Sequence, residues 1–396
     1  MIRLPIYMDF NATTPCDTAV VASMLPYFSD IFGNASSRNH SFGWKAEEAV
    51  EIARTQVADM IGAEKNEIVF TSGATESDNL ALKGIYERYA TKGNHIITTC
   101  IEHKAVLDTC HHLQKMGADI TYLKVNRKGM IDLAELEQAI RPSTILISVI
   151  YANNEIGVIQ PIKAIGTLAK EKRILFFSDA TQAVGKVPVN VQEDGIDLLA
   201  FSAHKIYGPK GVGALYVRRK NPRALIMAQV HGGGHEKNIR SGTLNVPAIV
   251  GLGKACELCT SLMNSEGTRL SQWRDKLEEA MVAIEGVTVN GSTTSRLPNT
   301  TNLAFEMVDS NALMMQLQKK IALSSGSACT SGSLEPSHVL EALNIGELAK
   351  NSLRFSLGRS TTEAEIDYVI ETVIKAVMEL RQLHPQWIMD QNKEHD

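Results

Sequence analysis

The chain has 396 residues, 44% hydrophobic and 21% charged, with a formal net charge of −4 and a pI near 6.3. That length exceeds what one hydrophobic core usually serves, so two lobes are expected. The charge lacks the basic excess of a direct nucleic-acid binder, no run of 18 apolar residues marks a membrane span, and six irregularly spaced cysteines do not make a disulfide framework. Met1-Ile2-Arg3-Leu4-Pro5 has no signal-peptide apolar stretch. Reduced thiols and a cytoplasmic location are therefore expected. The one dense basic run, Arg218-Arg219-Lys220 with Arg223 nearby, reads as a solvated turn after a strand.

In chain order, a helical pattern over 44–61 carries Ala46, Ala49, Val50, Ala53, Val57 and Met60 at helical spacing. Short β-branched or aromatic runs follow at 67–71, 95–99, 120–124, 145–151, 174–178, 196–201 and 214–218. Continuous apolar runs of that kind suit strands covered on both faces. Helical patterns at 104–116 and 161–172 lie between them, the second with Pro161 at its first position. Strands alternating with helices predict an α/β fold with a mostly parallel sheet. Beyond about residue 262 the pattern changes. A helix over 269–284, strands at 287–289 and 301–305, a helix near 311–320, a strand at 352–357 and a last helix over 363–380 predict a smaller α+β lobe.

Asp179 ends one predicted strand and Lys205 follows the next, in Phe-Ser-Ala-His-Lys. Open α/β sheets bind ligands at the carboxyl ends of their strands. Pyridoxal phosphate (PLP) needs such a pair: a lysine for its covalent attachment and a carboxylate that keeps its ring nitrogen protonated. A plain ion pair between strand ends is the other reading of the same two residues. Thr71-Ser72-Gly73-Ala74-Thr75-Glu76-Ser77 passes from strand to helix, and its small residues leave N–H groups open to a phosphate. Thr75, Ser202 and His204 are further phosphate donors. Neither a Walker loop nor a dinucleotide fingerprint is present.

His103 follows the 95–99 strand, in place to stack on a ring or move protons. Asn154 and Gln182 stand at two more strand ends and offer hydrogen bonds to a cofactor ring, or only turn chemistry. Ser324-Ser325-Gly326-Ser327-Ala328-Cys329-Thr330-Ser331-Gly332-Ser333 holds no large apolar anchor, so Cys329 is expected in a mobile loop as a reactive thiol. Cys256 and Cys259 form a C-x-x-C in an apolar helical stretch without a second ligand pair, and read as helix residues rather than a zinc site; no metal site is expected. Arg354, flanked by apolar residues, calls for a carboxylate, either a substrate's or an internal partner's.

These segments together resemble the NifS/IscS-type cysteine desulfurases, of the class V aminotransferase group with PLP fold type I. The motifs that carry the resemblance include Asn-Ala-Thr-Thr-Pro, Thr-Ser-Gly-Ala-Thr-Glu-Ser-Asp-Asn, Glu-His-Lys-Ala-Val, Ala-Asn-Asn-Glu-Ile-Gly, Asp-Ala-Thr-Gln, Ser-Ala-His-Lys-Ile-Tyr-Gly-Pro-Lys-Gly, Arg-Ser-Gly-Thr and the cysteine loop. They appear in order over about residues 6–385. The resemblance implies an α/β large domain, 15–262, with a seven-stranded mainly parallel sheet. It implies a smaller α+β domain from 1–14 and 263–396 that carries the cysteine loop at about 323–334, and a homodimer. It makes Lys205 the Schiff-base lysine, Asp179 the ring-nitrogen partner and His103 the ring-stacking residue. Ala74, Thr75, Ser202 and His204 bind phosphate, and Thr243 reaches it across the dimer interface. Asn154 and Gln182 hold the ring, Arg354 with Asn34 takes the substrate carboxylate, and Cys329 is the nucleophile. The implied reaction turns L-cysteine into L-alanine and passes sulfur through a Cys329 persulfide to an iron–sulfur scaffold protein, tRNA thiolation or another acceptor. A different PLP enzyme on the same scaffold, or a sulfur carrier without catalysis, are the rival readings. The carrier would need only the cysteine.

Overall fold

The structure, a computed structural model, describes residues 2–325, 336–385 and 387. Its strands are β1 (Ile6–Tyr7), β2 (Ile68–Thr71), β3 (His95–Thr99), β4 (Asp119–Leu123), β5 (Thr144–Ser148), β6 (Leu175–Asp179), β7 (Leu198–Ser202), β8 (Gly213–Val217), β9 (Val287–Val289), β10 (Thr300–Phe305), β11 (Ile321–Ala322) and β12 (Ser352–Ser356). Its helices are α1 (Thr18–Met24), α2 (Pro26–Ser29), α3 (Ser41–Ile61), α4 (Ala74–Tyr89), α5 (Lys104–Lys115), α6 (Leu133–Ala139), α7 (Ile162–Lys172), α8 (His235–Asn238), α9 (Val246–Val282), α10 (Ser310–Leu317), α11 (His338–Ala342) and α12 (Glu363–Arg381).

Strands β2 to β8 form a seven-stranded sheet in the order β2-β8-β7-β6-β5-β3-β4. Pairings from β4 through β7 are parallel, and β8 is antiparallel to both β7 and β2. So β8 alone runs against the rest, and the carboxyl ends of β2, β3, β5, β6 and β7 share one edge. The strands at its centre are buried along their whole length, as the continuous apolar runs require. On one face Ile96, Leu146, Phe177 and Leu215 pack with Leu80 and Ile85 of α4 and Val106 and Leu113 of α5. On the other, Ile97, Ile147, Phe176 and Tyr216 pack with α3, α7 and the first half of α9.

A separate core gathers Ile6 and Met8 with Leu277, Leu303, Phe305, Leu353, Phe355 and the apolar face of α12. Its sheet runs β12-β10-β9, antiparallel throughout. β1 pairs in parallel with β11, which ties the chain's start to its last third. Residues 339–349, by contrast, pack with the first core through Val339, Leu340 and Leu343.

One helix differs from the sequence reading. The apolar stretch before residue 263 and the helix expected from 269 are a single 37-residue helix, α9. Asn264-Ser265-Glu266-Gly267-Thr268 looks like a break. A glycine inside a helix costs only about 1 kcal/mol, and α9 is anchored at one end by Ile249 and Leu252 and at the other by Leu277 and Met281. An 18-residue window of α9 has mean hydropathy 1.3, and half of that window is buried, which marks a core helix rather than a span. Cys256 and Cys259 are buried inside it. The basic turn after β8 is neutralised locally: Arg218 pairs with Asp197, and Lys220 with Glu64 at 2.5 Å.

Candidate active site

The shared carboxyl edge opens into a cavity of about 870 Å³. Its floor begins at the β2–α4 turn. Gly73 caps α4 at φ +154° and ψ 178°, with no side-chain cap bond, a conformation open essentially to glycine alone. β8 runs directly beneath: a Cβ on Gly213 would stand 2.7 Å from the Gly73 Cα and 2.6 Å from the Phe201 oxygen. The turn is pinned from outside by Glu76, which accepts the Ser72 amide at 2.8 Å and holds Arg240 at 2.7 Å. A glycine cap leaves the Ala74 and Thr75 amides without an intrachain side-chain acceptor, and both residues line the cavity. A helix start with free amides suits an anion.

Two lysines and a neutral histidine complete that environment. His204, Lys205 and Lys210 line the same end. Burial, then the charges of Lys205, Lys210 and Lys186, pushes the His204 imidazole down to about 4. A cluster whose positive charges repel a further proton attracts a phosphate. His204 Nδ1 lies 3.1 Å from the Thr13 hydroxyl, and Ser202 is buried at the end of β7. The residues here fit a phosphate-bearing cofactor.

Asp179 closes β6 and pairs in register with Ala200 of β7. Lys205 ends the helical turn after β7. Both line the cavity. The Asp179 carboxylate accepts the Thr181 amide at 2.9 Å. The Lys205 Nζ donates to the Asn11 and Ala12 carbonyls at 2.6 Å each. Those carbonyls belong to the N-terminal Asn-Ala-Thr-Thr-Pro motif, whose role the sequence did not reveal. Gln182 donates to the Asn11 carbonyl at 2.9 Å and accepts from Lys186 at 2.5 Å. Burial and then the charges of Lys205 and Arg354 hold Lys186 well below the usual ammonium range.

His103 caps α5, its Nδ1 accepting the Ala105 amide at 3.2 Å. That bond places the ring proton of a neutral imidazole on Nε2. Ligating atoms of His103, Asp78 and Asp179 lie within 4.8 Å of one another. Arg354 is buried on β12, donating to Asp9 at 2.6 Å and to the Asn154 carbonyl at 2.8 Å. Of the two partners weighed for it, an internal carboxylate is present, and the side chain also lines the cavity.

The cavity thus gathers ten of the residues singled out from sequence, Asn154 and Gln182 among them. Asn34 and Thr243 are exposed and do not line it within one chain. Cys329 lies outside the described residues. Sequence reasoning assigned no role to Asn11, Gly73, Arg240 or Asp78. All four sit inside or beside motifs it quoted.

The family model for aminotransferase class-V matches residues 6–369. The chain is 55% identical over 393 residues to a cysteine desulfurase IscS of Glaesserella parasuis, covering 98% of this chain and 96% of the relative. It is 56% identical over 393 residues to the enzyme of the same name from Haemophilus ducreyi, with the same coverage. Among solved structures, a NifS-like protein superposes with a TM-score of 0.88 at 35% identity, covering 95% of this chain and all of that one. Another, described as SspA in complex with cysteine, gives 0.79 at 39% identity, covering 89% and 98%.

Proposed function

The chain belongs to the class-V aminotransferase family, and from that premise we propose that it is a PLP-dependent cysteine desulfurase. The observation that carries the reading is the placement of Asp179 and Lys205 at adjacent strand ends, in one cavity with an open amide cradle. When bound, the cofactor supplies an electron sink for a carbanion at the substrate's α-carbon.

The chain's own groups do the rest. The amides of Ala74 and Thr75, with Thr75, Ser202 and His204, hold the phosphate. Lys205 would hold the cofactor covalently and would serve as the base for the proton on the substrate's α-carbon. Asp179 holds the proton on the ring nitrogen. His103, which lines the cavity, would flank the ring and would carry protons between the thiols. Asn154 and Gln182 hold the ring substituents, and Arg354 with Asn34 takes the substrate carboxylate. The Cys329 thiolate attacks the substrate sulfur: its S–S bond forms as the substrate C–S bond breaks. L-cysteine and the Cys329 thiol become L-alanine and a Cys329 persulfide, with no net oxidation. A free thiol ionises near pH 8.5, so deprotonation at neutral pH needs a base such as His103. The persulfide then supplies an acceptor for iron–sulfur cluster assembly, or for tRNA thiolation.

The working unit in this reading is a homodimer. Leu25, Phe28 and Phe32 after α1, with Phe42, Trp44 and Ile52 on α3, are exposed large apolar side chains. A face of that composition suits a protein partner. Thr243 stands three residues from the anchored Arg240 and away from its own cavity, in keeping with a contribution to the partner's phosphate cradle. A large domain of 15–262 and a small one of 1–14 with 263–396 follow the division between the sheet cores and the C-terminal core, apart from Leu297 and residues 339–349, which pack with the large-domain core.

The test is Cys329→Ala. It keeps the bound cofactor and its colour but forms no persulfide and does not turn over. Full sulfide release by that variant would contradict the mechanism.

A further inference from the structure

Asp78 lies on the first turns of α4, directly behind the cavity wall, and is 1% exposed. Among the described residues neither of its carboxyl oxygens has a hydrogen-bond partner. Ligating atoms of Asp179 and His103 lie within 4.8 Å, a gap that one water or a small turn of the carboxyl spans. Glu102, buried beside the same wall, accepts the Thr99 hydroxyl and the Ile150 amide at 2.8 Å each through one oxygen, and its other oxygen has no partner.

Two buried carboxyls, Asp78 and Asp179, therefore meet at this wall, with a third, Glu102, buried nearby. A protonated ring nitrogen is a single cation and balances one carboxylate. His103 also stands at this wall, and its Nδ1 is already spent on the Ala105 amide; buried Cys110 on α5 and Lys205 of the cavity are the other titratable groups nearby. Carboxylates this close in a buried site do not all ionise. Asp179, which faces the cavity, is the one that a ring cation stabilises. Burial, followed by the charges of Asp179 and Glu102, holds Asp78 well above the ordinary carboxylate range. Burial likewise pushes Glu102 up to about 8.

We propose that Asp78 is a positioning residue that acts as a neutral carboxylic acid, donating its proton to the Asp179 carboxylate and so keeping Asp179 an anion aimed at the ring nitrogen. The inference rests on the PLP reading of the cavity. An ionised Asp78 would do the opposite, drawing the ring proton's partner toward protonation. A neutral acid is therefore the form compatible with an Asp179 that stays charged.

Asn reproduces the donor of a neutral acid and Leu does not, so Asp78→Asn and Asp78→Leu separate the cases. Leu removes the buried carboxyl and adds no polar group of its own, so the fold is expected to hold. Infrared spectra at neutral pH, with and without PLP, are expected to show protonated-carboxyl absorption in the parent protein that loses one component in both variants, the Glu102 component remaining. With PLP loaded, Asp78→Leu lowers kcat at least about tenfold relative to Asp78→Asn, with little change in KM. It also moves the pH at which the cofactor's absorption changes, whereas Asp78→Asn follows the parent. No band lost from either variant, an Asn variant as impaired as the Leu variant, or a Leu variant with parental absorption and turnover would each overturn the proposal. A parent protein that binds no PLP would instead sink the reading of the cavity, and the infrared band of the cofactor-free protein still reports the state of Asp78.

Discussion

Gly213 lies at the start of β8, register partner of both Thr71 in β2 and Ser202 in β7. It makes no call on glycine's special backbone freedom. Its constraint is space, since an added Cβ meets the Phe201 oxygen at 2.6 Å, the Gly73 Cα at 2.7 Å and the Gly73 carbonyl carbon at 2.9 Å. All three are backbone atoms, so no side chain can turn aside. Restoring ordinary contact at 3.4 Å from the Gly73 Cα requires a shift of about 0.7 Å (3.4 − 2.7). The sheet is buried and resists, so the shift falls on the turn at Gly73, which is the phosphate cradle. Gly213→Ala is expected to cost about 1–3 kcal/mol in stability, as overpacking does. A displacement on the order of 1 Å at a binding group costs up to about 10²-fold in function. PLP affinity, measured by fluorescence titration of the stripped protein, should fall at least about tenfold while the protein still unfolds cooperatively. Parental PLP affinity together with parental stability would refute the claim that β8 sets the height of the cradle.

Glu236 bonds Arg54 in a bidentate pair at 2.7 and 2.8 Å and accepts the Phe70 amide at 2.8 Å, with both side chains nearly excluded from solvent. Glu236→Gln leaves the half-exposed Glu51 as the guanidinium's carboxylate partner among the described residues and should cost about 3 kcal/mol, read as a lower urea midpoint at unchanged slope. Glu102 has a raised carboxyl, so the folded state holds its proton more tightly than the unfolded state does. Its contribution to stability is full below about pH 4.5 and is lost as pH rises through about 8. Glu102→Gln should flatten that decline, by up to about 5 kcal/mol at pH 9, and unfolding curves of equal pH dependence in both proteins would contradict it. Phe28→Asp with Phe32→Asp, at side chains 63% and 64% exposed, should yield monomers in light scattering, and a persistent dimer would place the interface elsewhere. Lys205→Ala should bind PLP without a covalent link, so mass spectrometry after borohydride treatment finds no cofactor on the chain. A labelled Lys205→Ala protein would move the attachment to another lysine.

The sheet was legible because its strands are buried on both faces and so read as unbroken apolar runs. The predicted 95–99 strand matches β3, and the others differ by a few residues at their ends. Asp179 and Lys205 were legible for a related reason: each stands where an apolar run stops, and the carboxyl edge of a parallel sheet is where such ends meet. The continuity of α9 was not legible, because the polar segment at 264–268 is held helical by the cores at either side rather than by its own residues. The carbonyls of Asn11 and Ala12 escaped as well. They act through backbone atoms, which leave no mark in side-chain chemistry, although the motif around them was noticed. Asp78 escaped because its helical position alone suggests a solvated acid, and only the packing of α4 against the sheet puts it behind Asp179. Arg354 was left between two partners, and the fold supplies Asp9 from a β-bridge across 345 residues, a contact no local pattern announces.

The most direct test of the desulfurase reading is alanine formation from L-cysteine by the purified, PLP-loaded protein with a thiol reductant present. The account predicts alanine accumulating over many turnovers, in step with sulfide. A protein that holds PLP and forms no alanine from L-cysteine would contradict it.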